Sequence, residues 1–330
     1  DLSFDGARRR CSPAQYTGSM PAHDPTSQRL IDETAISAIR SRLAGRPTAP
    51  WLHLEIARRM AERLILFRRL PQRVVDWGAL LGGGADLLTG AYPQASRVVV
   101  EATESLATRS RGLLSSPWWA VWRRRRGPVE VCIEATAGHV SADLIWSNML
   151  VQAEKDPPVL LARWARMLSP DGFVMFSCFG PDTLRELRQL YAALGWPAPA
   201  HEFTDMHDWG DMLVEAGFAE PVMDMERITL TFSSPAHLLA ELRGLGRNLH
   251  PQRFAGLRGR QWHADLQAQI SQKLVDPSEP GRLRLGFEII YGHAFKPAPR
   301  MAVRAQTSVS LDDFRSALRS NAAPGPKDGT

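Results

Sequence analysis

Residues 73–101 read RVVDWGALLGGGADLLTGAYPQASRVVVE. A short apolar run ends in an acid (Val74, Val75, Asp76), and its β-branched pair marks a strand. Glycines crowd the positions that follow (Gly78, Gly82, Gly83, Gly84). An apolar-periodic helix then runs around Leu87 and Leu88 until Pro93 breaks it. Arg97 to Val100 forms a second strand, which ends in Glu101. Strand, glycine turn, helix, strand and terminal acid make a βαβ unit suited to an adenosine-containing cofactor. The glycines let backbone come close to a ligand, the helix N-terminus offers unpaired N–H groups, and the acid accepts hydrogen bonds from ribose hydroxyls.

Outward from this unit, the N-terminal side predicts two helices. Leu30, Ile31, Ala35, Ile36, Ile39 and Leu43 recur at helical spacing, and Gly45-Arg46-Pro47 interrupts them. A stronger amphipathic helix is expected from Trp51 to about Arg69, stopped by Pro71. On the C-terminal side, strands are expected at Val129–Ile133, Ala142–Ser147, Phe173–Cys178, Val222–Phe232 and Leu285–Tyr291. The continuous apolar run at Phe173–Cys178 is of the kind buried on both faces of a parallel sheet. Helices are expected near residues 102–113, 160–168 and 206–216. Gly180-Pro181-Asp182-Thr183 is expected to open another, with Pro181 in its first turn. Alternating strands and helices give an α/β fold: a doubly wound, mostly parallel, seven-stranded Rossmann-like sheet with a helical insertion before the last strand.

The corresponding division is a disordered stretch over 1–27, N-terminal helices over 28–70, and a core over 71–233. A helical insertion over 234–283 follows, then the last strand and its extension over 284–310, and a C-terminal helix with a disordered tail over 311–330. Met20 is a candidate native start.

With 44% hydrophobic and 23% charged residues, the composition is that of an ordinary globular protein. The net charge of +5, mostly arginine in excess, favours acidic partners weakly. Cys11, Cys132 and Cys178 are too scattered for a disulfide framework or a metal site, so no metal is expected and a reducing cytoplasm is the simplest compartment. No apolar run reaches the ~20 residues of a membrane span. The Trp118–Arg126 patch places Trp118, Trp119 and Trp122 beside four arginines, which suits stacking or an acidic partner. It lacks the interleaving that a nucleic-acid site needs, so no nucleic acid is expected.

The order of motifs resembles the class I S-adenosylmethionine-dependent methyltransferases, and within them the biotin-pathway malonyl-acyl-carrier-protein O-methyltransferases. ADLIWSNMLVQ (142–152) is generic to that fold. LSPDGFVMFSCFGPDTLRELR (168–188), HEFTDMHDWGDMLVEAGFAEPVMDMERITLTF (201–232), LLAELRGLGRNL (238–249) and FEIIYGHAF (287–295) carry the narrower likeness. The resemblance implies S-adenosyl-L-methionine as cofactor and an acidic acyl carrier protein as partner. It implies that Asp76 orients the turn and the methionine ammonium, that Gly78 and Gly82 line the methionine, and that Glu101 holds the ribose. Glu134 and Ala135 would meet the adenine, and Asn148, with Trp146 and Ser147, would stand beside the transferred methyl. Leu80 occupies the middle position of the glycine pattern, where its side chain is expected to project toward the methionine; Gly83 and Gly84 would let the turn re-form later.

A carboxylate acceptor is already a nucleophile, so the chemistry asks for a positioning clamp rather than a catalytic triad. The candidates are Tyr291, Arg185 and Arg247, with Arg243 and His293 beside them. Two other readings stay open on these residues: a binding or assembly protein whose Leu80 and Leu81 block the cofactor, and a methyltransferase with a different acceptor.

Overall fold

The structure, a computed structural model, describes residues 31–114, 127–254, 256–298 and 311–312. The chain divides into Asp1–Pro297 and Ala298–Thr330. In the second unit, Leu311 and Asp312 are helical and exposed; everything that follows concerns the first. The Trp118–Arg126 patch, residues 1–27 and the tail from Asn321 lie outside the described residues.

The strands are β1 (Arg73–Trp77), β2 (Ser96–Glu101), β3 (Val129–Ile133), β4 (Ala142–Asn148), β5 (Leu168–Phe179), β6 (Ala219–Phe232) and β7 (Leu283–Phe295). They form one seven-stranded sheet in the order β3-β2-β1-β4-β5-β7-β6. β7 runs antiparallel to both neighbours, and the other pairs are parallel. The helices are α1 (Glu33–Ala44), α2 (Trp51–Glu62), α3 (Ala79–Gly82), α4 (Ala85–Ala91), α5 (Glu104–Leu114), α6 (Pro157–Met167), α7 (Arg185–Ala193), α8 (Met206–Glu215), α9 (Pro235–Leu245) and α10 (Arg260–Lys273).

Successive strand residues face opposite sides, so each apolar run feeds two cores. Val74, Leu144, Trp146 and Phe173 pack with Ile56 and Met60 of α2, Leu187 of α7 and Ile270 of α10. Val75, Ile145, Val174 and Phe176 pack with Trp164 of α6 and Trp209 of α8. Caps fix where the helices begin. Asp32 accepts from the Ala35 N–H at 3.1 Å, and Asp156 accepts from Val159 at 3.2 Å.

Several strands and helices run a few residues beyond the sequence reading, β7 among them at Leu283–Phe295, and three differences change local structure. The second helix ends at Glu62 and tightens into a 3-10 turn over Arg63–Leu66. There Phe67 turns extended and stacks on Phe173, ring centres 4.2 Å apart. The turn at residues 169–172 lies inside β5, which already begins at Leu168, with Asp171 left-handed at φ 59 and a register shift against β4. Residues 180–183 are not helical. Gly180, Asp182 and Thr183 bond instead to the backbone and carboxylate of Glu288 on β7, and α7 starts only after Leu184, itself left-handed at φ 61.

Candidate active site

The strand order reverses between β1 and β4, and such reversals leave a crevice at the carboxyl ends of the strands. Two cavities lie there. The smaller, about 30 Å³, is bordered by Gly78, Glu101, Glu134, Ser147 and Glu154. The larger, about 310 Å³, is lined chiefly by leucines with Phe179 and Phe287. Arg40, Leu81 and Leu150 border both.

The glycine turn builds the floor. Gly78 adopts φ 74, a left-handed conformation that costs a glycine little, and donates its N–H to the Val100 carbonyl at 2.7 Å. Ala79 to Gly82 then make one helical turn, and Gly83 closes it at φ 70. The turn is thus a short helix between two left-handed glycines. Leu80 borders neither cavity; its N–H donates to Glu101 Oε1 at 2.9 Å. The leucines common to both cavities are Leu81 and Leu150. A Cβ built on Gly78 would fall 2.1 Å from Leu150 Cδ1, so Leu150 covers the bare face of that glycine.

Glu101 is 1% exposed. Oε1 accepts from Leu80 and from the Ser110 hydroxyl at 2.7 Å, which leaves Oε2 for a ligand. Burial pushes this carboxyl up, against the pull of those two hydrogen bonds. Asp76, at the end of β1, is equally buried and borders neither cavity. Its Oδ2 has no hydrogen-bond partner, and burial pushes its pKa up to about 7, opposed by Arg97 and reinforced by Glu101.

Of the remaining cofactor candidates, Gly78 and Glu134 stand with Glu101 at the smaller cavity. Ala135 is exposed and borders neither cavity. Asn148 does not present its amide to the crevice, because every polar atom of the side chain is engaged elsewhere. Nδ2 donates to the carbonyls of His53 at 2.7 Å and Gly82 at 2.6 Å, and Oδ1 accepts from the Ser177 hydroxyl at 2.7 Å. Gly82 is buried against it, where a Cβ would lie 3.3 Å from the Asn148 carbonyl oxygen. The pair braces the floor from below.

The clamp candidates separate. Arg247 lines the larger cavity, as does Arg243. Tyr291 does not; its ring lies under Arg63, 3.7 Å from the guanidinium carbon, and its hydroxyl donates to Glu226 at 3.2 Å. Glu226 also pairs with Arg59, so Tyr291 belongs to a charged seam joining α2 to β6. Arg185 is 59% exposed and faces Asp182 at 3.8 Å, outside both cavities. His293 packs edge-on against Phe67 at 5.0 Å.

Arg40, His53 and Gln152, all at the larger cavity, were not singled out by motif. Arg40 and His53 do carry a signal. Arg40 lies on the apolar stripe of α1 with Ile36 and Leu43, and His53 on that of α2 with Ile56 and Met60. A polar group on such a stripe faces inward. Met149 and Leu184, two of the four left-handed non-glycine residues described, also line this cavity. Strained backbone of this kind gathers at functional sites.

A methyltransferase-domain family model matches residues 51–220. A malonyl-[acyl-carrier protein] O-methyltransferase of Laribacter hongkongensis is 38% identical over 281 residues, covering 83% of this chain and 93% of that protein. The chain belongs to the malonyl-[acyl-carrier protein] O-methyltransferase family. Its namesake from Gallionella capsiferriformans is 37% identical over 277 residues, 82% of this chain and 93% of that one. That of Nitrosospira multiformis is 35% identical over 269 residues, 76% and 85% of the two chains. Among the described residues no helix is long and apolar enough to cross a membrane, and no group of three or more His, Cys, Asp or Glu could hold a metal ion.

Methyltransferases of this class use S-adenosylmethionine, and the polar groups here fit it. Glu101 keeps one carboxylate oxygen unengaged, Gly78 offers backbone without a side chain, and the buried Oδ2 of Asp76 lacks a partner. The side chain in the way is Leu150, which can turn aside without breaking a hydrogen bond.

Proposed function

We propose that this methyltransferase esterifies the free carboxylate of a malonyl group carried as a thioester on acyl carrier protein, as a step toward biotin, in the cytoplasm. The observation that carries the proposal is Arg40. Arg40 borders both cavities, and its guanidinium has no hydrogen bond or ion pair among the described residues. A guanidinium is always charged and matches a carboxylate with two parallel N–H donors. Arg243 and Arg247 add positive charge to the wall of the larger cavity, and no carboxylate residue lines it.

S-adenosylmethionine, when bound, supplies an electrophilic methyl group. Glu101 receives the ribose hydroxyls on its unengaged oxygen, and Glu134 stands where the adenine is expected. Gly78 gives the methionine a bare surface, with the Asp76 carboxyl behind the turn. Arg40 holds the acceptor carboxylate at the boundary of the two cavities, where transfer has to occur. The leucine-rich wall excludes water, which strengthens the arginine–carboxylate attraction and limits hydrolysis. The acceptor is already ionised, so no side chain has to remove a proton first.

The test is to incubate the chain with S-adenosylmethionine and malonyl-acyl carrier protein and weigh the product. Addition of one methyl group to the malonyl moiety is expected, together with restored biotin-free growth in a strain lacking its own enzyme of this step. Calorimetric silence with S-adenosylhomocysteine would instead favour a non-catalytic binding protein.

A further inference from the structure

The two cavities carry opposite charge, and methyl transfer to a carboxylate abolishes charge in both. Glu101, Glu134 and Glu154 border the smaller one, with Arg40 as the single cation among the described residues around it. The acids come from three separate places: the end of β2, a 3-10 turn over Glu134–His139, and the residue that closes a second such turn over Val151–Ala153. Burial pushes the carboxyls of Glu101 and Glu154 up; Glu134 pushes both further and Arg40 pulls both down. The four charges therefore stand within reach of one another. Glu101 marks the place as one that takes a ligand, since it is 1% exposed and keeps Oε2 unengaged. The larger cavity is the reverse, with Arg40, Arg243 and Arg247 on its wall and, among the described residues, no carboxylate.

Ribose and adenine account for Glu101 and Glu134 in the mechanism above, and Glu154 is left over. Neither the sugar nor the base carries charge, whereas the methyl donor does. Transfer forms an O–C bond from a carboxylate lone pair and breaks the S–C bond, whose electron pair stays on sulfur. A sulfonium and a carboxylate go in, and a neutral thioether and a neutral ester come out. A wall with carboxylates in excess holds a cation more tightly than the cation's neutral counterpart. The same wall cannot speed the step, because the charge it stabilises fades on the way to the transition state. Its effect falls on what binds and what leaves.

We propose that Glu154 is a specificity-determining residue of the cofactor cavity, whose carboxylate makes the site prefer the cationic donor to the uncharged thioether left after transfer. The proposal rests on the placement of the nucleoside against Glu101, and not on which acceptor is methylated.

The probes are S-adenosylhomocysteine and sinefungin, which carries an ammonium-bearing carbon where the donor has its sulfonium; they differ by one unit of charge. Calorimetry on the full chain gives both dissociation constants without turnover. Sinefungin is expected to bind about tenfold more tightly, the order that one charge gains from nearby carboxylates in a partly wet cleft. In Glu154→Gln that ratio should fall to about threefold or less, through sinefungin alone, with S-adenosylhomocysteine within about twofold of the parent. Glu154→Asp, which keeps the charge, should retain most of the preference. Turnover gives a second reading: in Glu154→Gln the KM for S-adenosylmethionine should rise while kcat does not fall. Circular dichroism reports whether the variants are folded. Equal dissociation constants in the unaltered protein overturn the proposal without any variant. So does a folded Glu154→Gln that keeps the full ratio, or one that weakens both nucleosides together, as a role only in shaping the cavity would. Silence with both nucleosides would sink the proposal together with cofactor use. The charge preference without transfer to malonyl-acyl carrier protein would support the proposal and remove only that acceptor.

Discussion

Replacing Asp76 by Asn should make folding stability lose much of its pH dependence. Asp76 is 1% exposed, its Oδ2 lacks a partner, and burial raises its pKa from 3.8 to about 7. The folded protein therefore holds this proton more tightly than the unfolded chain does. Stability from this group is fully present below the unfolded value, falls as pH rises from ~4, and levels off above ~7. Roughly three pH units at ~1.4 kcal/mol each set an upper limit of about 4 kcal/mol. The Asn amide, itself unpaired in the pocket, takes back about 1–2 kcal/mol, but equally at every pH. Glu101 shifts the same way in both proteins and cancels to first order in their difference. Urea titrations at pH 4.5, 5.5, 6.5 and 7.5 should show Asp76→Asn gaining on the parent steadily across the series, by about 2–4 kcal/mol in total. Parallel stability curves for the two proteins would refute the argument, because they would show that Asp76 ionises as freely inside as outside.

Glu101→Ala should weaken S-adenosylhomocysteine binding by ten- to a hundredfold, roughly the 1.5–3 kcal/mol of a charge-assisted hydrogen bond, as read by calorimetry. Arg40→Met should raise KM for the malonyl thioester by at least about tenfold with cofactor affinity little changed, since the lost contact is to the acceptor. Gly84→Ala should lower stability by about 1–3 kcal/mol on chemical denaturation, because the added Cβ would meet Trp146 Nε1 at 2.5 Å inside a packed core. Tyr291→Phe should reduce stability by about 1 kcal/mol and leave methyl transfer within about twofold, since its hydroxyl serves Glu226 and not the crevice.

The scaffold was legible because parallel strands announce themselves. Runs such as Val98-Val99-Val100 and Phe173–Phe176 are apolar at every position, and only a sheet covered on both faces buries both sides of such a run. Glu101 was legible because an acid closing the second strand has little other reason to be there. The glycine turn was not, because local spacing alone does not show that Ala79–Gly82 coil into a helix between Gly78 and Gly83. Tyr291 misleads for a related reason. Which face a strand residue takes depends on register, and one step of register sends the ring to the α2 seam instead of the crevice. Arg40 and His53 needed contacts across roughly a hundred residues or more before their inward stripes meant anything.

α1 is fastened to the end of α9 and the stretch that follows it. Asp32 donates its N–H to the Leu249 carbonyl at 2.9 Å and pairs with Arg253 at 2.7 Å, and Arg42 bonds the carbonyls of Arg243 and Gly246. The roof over the larger cavity is thus stitched from two remote stretches, while the nucleoside floor comes from a continuous third. Swapping both roof pieces together between relatives would exchange acceptor taste and leave donor use intact; swapping one alone would cut the stitches and lose both.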